Sequence, residues 1–341
     1  AWTFAIGSSP ILFLGAFMLS EPLTTPPRRW QRYVVGLLVA VISVLPAFSS
    51  VLPVLGELPV AVTPDLALAV GNIVAFWFGT RGRVMLTLTG SRRSGDVLDL
   101  TFTPSPRLRA LPGQYIELDV PHLDGLRDVR GRRRILSVAS DPAGGPVRLV
   151  TRVAATPGAT PSPVKAALAA LQPGARLAVT SVGGDFLLPD GGRPVALIGA
   201  GIGVTPFLAH LDAIARGSLR ATDLVLVHAI KDVADVLDLV TAPPPQIPGG
   251  GVAGSMPVRA QLPAGVRLIL VVPVGTPPAS LPAGWNVVEG TLTREVLAAA
   301  VPDLAKRDVL VSGSPAAVAT VTDAARHLGV RTIRTDTFLG Y

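Results

Sequence analysis

The sequence predicts a multi-domain chain: N-terminal transmembrane helices, then an antiparallel β-barrel, then an α/β domain built on a parallel sheet. Three observations lead to this prediction. Long apolar runs end near residue 80, short strand-like segments with glycine and proline turns follow from residue 83, and strands alternate with helical segments after residue 193. We expect the three parts to cover residues 1–80, 83–186 and 193–341.

Composition sets the first limits on function. The 341 residues are 49% hydrophobic with mean hydropathy +0.51, which favours a membrane part over an ordinary soluble enzyme. The absence of cysteine excludes disulfides, thiol catalysis and a cysteine-ligated iron–sulfur cluster in these residues. The four histidines lack metal-ligand spacing, so we expect no metal site. Because the sequence starts at Ala1 rather than Met, we expect it to be a fragment.

The net charge of +7 is carried mostly by arginine. Basic clusters at Arg28–Arg32 and Arg81–Arg93 flank apolar runs and have few aromatic residues among them. This arrangement favours membrane lipid as the partner of the basic residues and argues against nucleic acid.

Three apolar runs are candidate membrane spans, and they are Trp2–Leu19, Tyr33–Leu55 and Leu66–Phe78. The third is short, and an interfacial helix is the alternative for it. Arginines lie between the first two spans and after the third, whereas the loop before the third has none. The positive-inside rule therefore predicts a protein integral to the cytoplasmic membrane, with everything after Arg81 on the cytoplasmic side.

The segment GAFMLSEPLTTPP, which ends at Pro27, resembles the membrane subunits of Rnf complexes and sodium-pumping NADH:quinone reductases. The resemblance covers residues 10–80. In that family FMN is attached to a threonine, but its attachment motif is absent here, so Thr24 and Thr25 receive no such role. A turn rich in proline and hydroxyl residues is the alternative interpretation.

Short β-branched segments with turns between them predict the barrel. Its strands are Val84–Thr89, Val97–Phe102, Gln114–Val120, Ile135–Ala139, Val147–Val153 and Leu177–Ser181, with a helix over Pro163–Leu171. The α/β part follows with strands Val195–Ile198, Leu224–His228, Leu268–Val272 and Val309–Ser312, and helices Phe207–Arg216, Val233–Val240, Thr293–Ala300 and Ala316–Leu328. Proline and glycine crowd Thr241–Pro263, which we interpret as a surface loop.

The stretch Pro194–Pro206, PVALIGAGIGVTP, organises the chain. A buried strand leads into Gly199, Gly201 and Gly203, and Thr205 and Pro206 open a helix. A strand, a glycine turn and a helix start present backbone N–H groups to a phosphate, and glycine permits close approach of a pyrophosphate. A tight turn without a ligand is the alternative.

This GxGxxxTP pattern resembles the nucleotide signature of the ferredoxin–NADP reductase superfamily, and further motifs of that superfamily follow its order over residues 84–341. The segment GQYI, which contains Tyr115, resembles its first flavin strand, and RILSVAS resembles its RxYS segment. The resemblance implies that Arg134 pairs with the FAD pyrophosphate and that Ser137 bonds near the flavin ring. Leu136 stands where the family has a stacking tyrosine. A basic barrel edge facing lipid is the alternative for Arg134.

Further barrel segments resemble the flavin site. Thr151 lies in a strand similar to the family's next flavin-contacting strand. Gly158, Thr160 and Ser162 precede a helix, as in the family's pyrophosphate-binding turn, although a plain helix N-cap accounts equally well for Thr160 and Ser162. The segment that ends at Phe186 resembles the boundary between the two domains.

The last motifs resemble the nicotinamide site. Lys231 stands near the family's NADP-contacting arginine and slightly favours NADPH over NADH, although a solvated lysine is the alternative. Ser312 replaces the cysteine beside the nicotinamide, with Gly313 next to it. The closing DTFLGY resembles the segment whose aromatic residues cover the flavin, which implies roles for Phe338 and Tyr341; ordinary packing is the alternative. The resemblance makes Ser312, Tyr341 and Ser137 the expected catalytic residues.

The sequence therefore predicts a membrane-anchored oxidoreductase that passes hydride from NADPH or NADH to FAD. Electrons would continue to a quinone, a membrane flavin or a redox protein. One alternative is an electron-transfer or ion-transport membrane subunit fed by its reductase domain. Another is a non-catalytic nucleotide-binding module, which the replacements at Leu136 and Ser312 motivate.

Overall fold

The computed structural model describes residues 29–44, 63–81, 84–121, 128, 131–153, 162–189, 192–220, 223–232, 265–277, 281 and 284–338. The chain divides into two compact units, Ala1–Arg83 and Val84–Tyr341. The predicted span Trp2–Leu19, the helix Val233–Val240 and the loop Thr241–Pro263 lie outside the described residues.

In its described residues the first unit has two packed helices, α1 (Arg29–Val44) and α2 (Pro64–Arg81). Their contact buries Val35, Val39, Ala67, Leu68 and Ala75. A Cβ added to Gly71 would lie 2.4 Å from Val39 Cγ2, so glycine permits the close approach of the two helices.

The membrane spans predicted over Tyr33–Leu55 and Leu66–Phe78 are not confirmed. Among the described residues, no helix combines the length and the apolar character that crossing a bilayer requires. Helices α1 and α2 contain 16 and 18 residues.

The second unit begins with a six-stranded antiparallel sheet. Its strands are β1 (Val84–Ser94), β2 (Val97–Ser105), β3 (Tyr115–Asp119), β4 (Arg133–Ser137), β5 (Val147–Arg152) and β6 (Arg176–Gly183), in the order β4-β3-β6-β1-β2-β5. Just after β4, a bridge joins Val138 to Leu149 of β5, and the Ala139 N–H donates to the Arg148 carbonyl at 2.8 Å. These bonds close the sheet on itself, and the predicted antiparallel barrel is confirmed.

Alternating apolar residues fill the barrel, as the period of two requires. Leu98, Leu100 and Phe102 point inward from β2 and are fully buried. Helix α3 (Pro163–Ala169) adds Val164 and Leu168 to the same core. Strand β1 continues to Ser94, beyond its predicted end at Thr89, because a bulge at Leu88–Gly90 lets it remain paired with β2.

A six-stranded parallel sheet follows. The sequence predicted a parallel sheet at this place and four of its six strands. Its strands are β7 (Val195–Ala200), β8 (Leu224–Ala229), β9 (Val266–Val272), β10 (Asn286–Glu289), β11 (Asp308–Gly313) and β12 (Ile333–Thr337), in the order β10-β9-β8-β7-β11-β12. The edge strands β10 and β12 were not predicted. Both are short and expose most of their residues, so they lack the apolar run of a central strand.

Helices cover both faces of the parallel sheet. Helix α4 (Thr205–Ala215) packs on one face, and α5 (Arg294–Ala300) and α6 (Pro315–His327) pack on the other. Helix α4 starts two residues before its predicted start, because Thr205 and Pro206 already belong to its first turn.

The barrel and the parallel sheet share a third core, through which α4 contacts both. The rings of Phe186 and Phe207 lie 5.5 Å apart in this core. At the other end of α4, Asp141 binds two polar groups: its N–H donates to Asp212 at 2.8 Å, and its carboxylate accepts from the Ser218 hydroxyl at 2.6 Å. These contacts fix α4 to the barrel.

Candidate active site

A pocket of about 380 Å³ opens between the barrel and the carboxyl ends of the parallel strands. Residues of both sheets line it. From the barrel and α3 come Tyr115, Arg134, Ile135, Leu136, Ser137, Val150, Thr151, Arg152, Val164, Lys165 and Leu168, and from the α/β part come Ile202, Thr205, Asp336, Thr337 and Phe338. Most of the lining is apolar, and the charged residues are three cations and one carboxylic acid.

The pocket brings together seven residues that the sequence motifs singled out, from segments far apart in the chain. They are Tyr115, Arg134, Leu136, Ser137, Thr151, Thr205 and Phe338. The remaining predicted site residues that are described, Ser162, Gly199, Gly201, Gly203, Pro206, Lys231, Ser312 and Gly313, are not among its lining residues. Gly158, Thr160 and Tyr341 lie outside the described residues.

Arg134 is held in the pocket wall by several acceptors. Its guanidinium makes a 2.5 Å ion pair with Asp128 and donates to the carbonyls of Gly131 and Arg133 at 3.0 and 2.7 Å. The side chains of Arg134 and Asp128 are only 11% and 6% exposed. An arginine fixed in this way presents a planar, permanently charged donor group to an anion in the pocket.

Tyr115 contributes an aromatic wall to the pocket, and two glycines leave room for its ring. A Cβ on Gly183 would lie 2.9 Å from the Tyr115 hydroxyl, and a Cβ on Gly184 would lie 3.0 Å from Cδ1. Gly184 also has φ +99°, which disfavours any other residue. The two glycines of the boundary motif therefore set the position of Tyr115.

The sequence motifs did not identify two further cations of the pocket, Arg152 and Lys165. Arg152 ends β5 next to Thr151, and Lys165 stands in the first turn of α3. Burial lowers the pKa of Lys165 below its usual value. Ser162 caps α3 by accepting from the Lys165 N–H at 3.4 Å, which is the N-cap role that the sequence left open.

The glycine turn lies at the topological switch point of the parallel sheet. Strand β7 pairs with β8 on one side and with β11 on the other. The chain continues from β7 through β8, β9 and β10 in one direction and then returns to the opposite side of β7 with β11 and β12. Ligands of open α/β sheets bind at the carboxyl ends of the strands, at such a point. Gly201 has φ +54°, and a Cβ on Gly203 would lie 2.5 Å from the Ser312 carbonyl oxygen. The turn therefore lies directly against the end of β11.

Ser312 is buried next to this turn. Its hydroxyl has no hydrogen-bond partner among the described residues, although the residue is only 1% exposed. A buried hydroxyl without a partner has an unsatisfied hydrogen-bonding capacity that a bound ligand can fill. Gly313 follows Ser312, and its carbonyl accepts from the Phe338 N–H at 2.9 Å, which ties the last strand motif to the same edge.

Asp336 is a pocket residue whose role the sequence motifs did not assign. It lies opposite Ser312 in the pairing of β11 with β12. Burial, reinforced by the negative charge of Asp185, raises the pKa of Asp336 above its ordinary value, against an opposing hydrogen bond from the Thr337 N–H. The sequence signal was present, since Asp336 opens the same DTFLGY segment that pointed to Phe338.

Lys231 lies apart from the pocket lining. It is exposed and follows the end of β8 by two residues, on the carboxyl side of the parallel sheet. This position is compatible with both the nucleotide role and the solvated lysine that the sequence left open.

The comparisons with known proteins extend these observations. No protein-family model matches the chain. An NADPH oxidoreductase of Mycobacterium tuberculosis is 35% identical over 130 residues, which cover 37% of this chain and 32% of the relative. A flavohemoprotein of a Burkholderia species is 27% identical over 224 residues, which cover 60% of this chain and 52% of the relative. The chain thus spans about a third and about half of the lengths of these relatives.

Solved structures match over most of the chain. The flavohem-like FAD/NAD-binding domain of a nitric oxide dioxygenase from Vibrio cholerae aligns with TM-score 0.56 and 20% identity, covering 75% of this chain and 98% of that domain. A ferredoxin NADP⁺ reductase from Neisseria gonorrhoeae with bound FAD and NADP aligns with TM-score 0.55 and 16% identity, covering 76% and 99%. The antiparallel barrel followed by the parallel sheet is therefore the ferredoxin–NADP reductase-like fold.

Proposed function

We propose that this chain is a flavin-dependent oxidoreductase that takes electrons from NADPH or NADH and passes them to a second acceptor. The pocket between the two sheets carries the proposal. In it, Tyr115, Arg134 and Ser137 of the barrel meet Thr205 and Phe338 of the α/β part. The relatives reported above are an NADPH oxidoreductase and a flavohemoprotein, which support the same chemistry.

The residues of the pocket suit FAD, which combines a planar apolar ring system with an anionic pyrophosphate. The apolar wall of Tyr115, Leu136 and Val150 would receive the rings, and Arg134 and Lys165 would face the pyrophosphate. When bound, FAD would accept two electrons at once and release them singly.

The chain's own contribution would be positioning and electrostatics. The glycine turn and the N-terminus of α4 would hold the nicotinamide nucleotide's phosphates at the switch point. The Ser312 hydroxyl, which has no hydrogen-bond partner among the described residues, would form a hydrogen bond with the nicotinamide, and Ser137, 7% exposed, would form one with the flavin ring. Asp336 would stand at the edge of the flavin site, and burial raises the pKa of its carboxyl above the ordinary value.

An anaerobic visible spectrum of the purified chain tests this proposal. We expect a flavin absorption band that bleaches on addition of NADPH or NADH, because both cofactors would occupy the same interface. The faster nucleotide would identify the preferred one and so decide the role of Lys231. A flavin that stays oxidised with both nucleotides would contradict the proposal and favour a non-catalytic module. A chain that binds no flavin would contradict the proposed FAD site itself.

Gly203→Ala tests the proposed nucleotide site separately from the flavin site. Its Cβ would lie 2.5 Å from the Ser312 carbonyl oxygen and 2.6 Å from Gly313 Cα, so the turn has to move. We expect the variant to keep its FAD, since Gly203 does not line the pocket, and to be reduced by NAD(P)H about tenfold more slowly or worse. Dithionite should reduce the wild type and the variant equally.

We further propose that the first unit attaches the enzyme to the cytoplasmic membrane. Large apolar side chains lie exposed on α1 and α2: Trp30, Tyr33, Leu37, Val41 and Val44 on the first helix, and Ile73, Phe76 and Trp77 on the second. Aliphatic residues and Gly71 form the helix contact, and large apolar side chains remain exposed on the outside of the pair, which is the arrangement expected in lipid rather than water. The rings of Trp30 and Phe78, 5.5 Å apart, join the start of α1 to the end of α2.

The proposed attachment places the cation-rich sequence around Arg28–Arg32 beside anionic headgroups and keeps the flavin site in the cytoplasm. A quinone, a membrane flavin or a membrane-bound redox protein is then the expected acceptor. A soluble redox protein would be reached as well, so the acceptor itself is tested by supplying each class to the reduced enzyme and measuring reoxidation of the flavin.

Sedimentation with lipid vesicles tests the attachment. We expect the full chain to pellet with vesicles of roughly three parts phosphatidylcholine to one part phosphatidylglycerol. Replacing Leu37, Ile73 and Phe76 by serine should weaken binding about tenfold or more through loss of buried apolar area. Val274→Ser, which removes a 79% exposed apolar residue from the α/β part, is the control and should change nothing. Equal binding of the triple variant would contradict the attachment.

A further inference from the structure

His228 lies beside the glycine turn, in the interior of the α/β part. It is the penultimate residue of β8, is fully buried, and pairs across the sheet with Gly199, where β7 runs into the turn. The sequence motifs gave it no role of its own. Its side chain reaches the turn from the side opposite to β11.

His228 holds one carbonyl of the turn. Its Nε2 lies 3.0 Å from the carbonyl oxygen of Gly201. A carbonyl only accepts hydrogen bonds, so the Nε2 atom carries the proton, and the bare Nδ1 has no partner among the described residues. Burial lowers the pKa of His228 to about 4, so the ring is neutral at physiological pH and keeps this single tautomer.

Thr205 holds the next carbonyl of the turn. Its hydroxyl donates to the Ile202 carbonyl at 3.0 Å. In a trans peptide the N–H points opposite to the C=O. Tying the carbonyls of Gly201 and Ile202 to His228 and Thr205 therefore turns the N–H groups of Ile202 and Gly203 the other way. An anion-binding turn requires this orientation, because a free carbonyl facing a phosphate would repel it.

We propose that His228 is a positioning residue for nucleotide binding: through Nε2 it holds the Gly201 carbonyl away from the phosphates of NADPH or NADH. The role rests on the proposed function and adds a side chain that does not itself contact the cofactor. The third restraint is the contact of Gly203 with the end of β11, so the turn is fixed on both sides of the switch point.

Calorimetric titration of the FAD-loaded chain with NADP⁺ and NAD⁺ tests the role. We expect His228→Phe, which removes the donor, to bind the better nucleotide about three- to tenfold more weakly, the range of a single lost hydrogen bond. His228→Gln, which offers a new N–H donor, should recover most of that loss. The affinity for FAD should stay unchanged in both variants.

His210→Phe is the matched control. His210 is also a fully buried histidine, and its backbone neighbour is Pro206 rather than the Gly201 carbonyl that His228 holds. Replacing it should leave nucleotide affinity as in the wild type. Amide hydrogen exchange without nucleotide gives an independent readout, since the amides of Ile202 and Gly203 should exchange faster in His228→Phe only. Should that variant fail to fold, His228→Met takes its place.

The outcomes are separable. Wild-type nucleotide affinity in His228→Phe, with unchanged exchange of the turn, would overturn the positioning role and leave the proposed function standing. Equal losses in the Phe and Gln variants would also overturn it, because they would indicate a loss of shape rather than of a donor. A wild-type chain that binds neither nucleotide would remove the proposed function and the role together.

Discussion

Two arginines, one in each half of the second unit, show how similar ion pairs serve different purposes. Arg134 pairs with Asp128 in the wall of the pocket. Arg307 is 2% exposed and pairs with Asp223 at 2.9 Å and Asp303 at 2.6 Å. Both guanidinium groups are held by carboxylates, yet only Arg134 lies where a ligand can reach it.

The difference follows from the position of each arginine on its sheet. Arg307 precedes β11 and bonds the carbonyl of Val195 at the start of β7, so it lies at the amino ends of the parallel strands. The glycine turn lies at the opposite, carboxyl ends, where ligands bind. A buried charge pair therefore indicates a ligand site only when it lies at the end of the sheet where ligands bind. Arg307 lies at the opposite end, so we interpret it as a residue that stabilises the fold.

Removing Arg307 should have the largest effect. We expect Arg307→Met to lower the free energy of unfolding by about 2–4 kcal/mol, because the charge-assisted bonds of a buried guanidinium are lost. Urea denaturation measures the change. Arg267→Met is the control: Arg267 also pairs with Asp303, but at 3.6 Å and 42% exposed, and should cost less than about 1 kcal/mol. Equal losses of unfolding free energy in the two variants would contradict the role of Arg307 in stabilising the fold.

Replacing Arg134 should weaken cofactor binding instead. We expect Arg134→Met to raise the FAD dissociation constant by about 30-fold, the equivalent of one lost charge-assisted contact of roughly 2 kcal/mol. Flavin fluorescence measures it. Arg148→Met separates binding from folding, since Arg148 pairs with Asp99 in the same barrel but does not line the pocket. If both variants lose FAD affinity equally, Arg134 cannot be distinguished as a binding residue from an arginine that only stabilises the barrel.

A smaller effect is expected in the pocket wall near Arg134. Leu136→Tyr should tighten FAD binding about two- to tenfold, because an aromatic ring adds about 0.5–1.5 kcal/mol over an aliphatic contact. Leu111→Tyr adds the same ring at a 54% exposed position outside the pocket lining and should leave the affinity unchanged. No gain in the first variant would indicate that position 136 does not face the flavin ring.

We expect the smallest effect from acid, which lowers stability by protonating Asp303, the ion-pair partner of Arg307. The hydrogen bond from Arg307 holds the pKa of Asp303 below its ordinary value of 3.8, so folding favours the carboxylate. This contribution to stability is present above pH about 4 and is lost as the pH falls through the lowered pKa. Denaturation from pH 6 to about pH 2 should therefore show a shallower decline in Asp303→Asn than in the wild type. Parallel curves would argue that the pair contributes nothing.

Local motifs singled out seven of the residues that line the pocket but missed others. Tyr115, Arg134 and Ser137 each lie in a short strand whose pattern is specific, and Thr205 follows a specific turn. Arg152 and Lys165 could not be found this way, because their approach to the pocket depends on barrel closure. Asp128 stands between β3 and β4 in a sequence without an alternating apolar pattern, so nothing there indicated that its side chain is buried.

The same reasoning explains which parts of the fold the sequence predicted and which it did not. Central strands such as β7 and β8 are continuous apolar runs, so the sequence predicted them closely. The edge strands β10 and β12 are half-exposed and carry no such run. Apolar content also suggested membrane spans, and these are not confirmed, since no helix among the described residues has the length and apolar character needed to cross a bilayer.

The packing of Phe186 against Phe207 has a consequence for how this enzyme can be divided. Phe186 closes the barrel segment and Phe207 belongs to α4, so a cut between residues 186 and 193 would leave an aromatic face exposed on each product. The two halves differ in sheet type but share this interior. We therefore expect them to melt in one calorimetric transition and to resist separate expression, so that cofactor site and nucleotide site are gained or lost together.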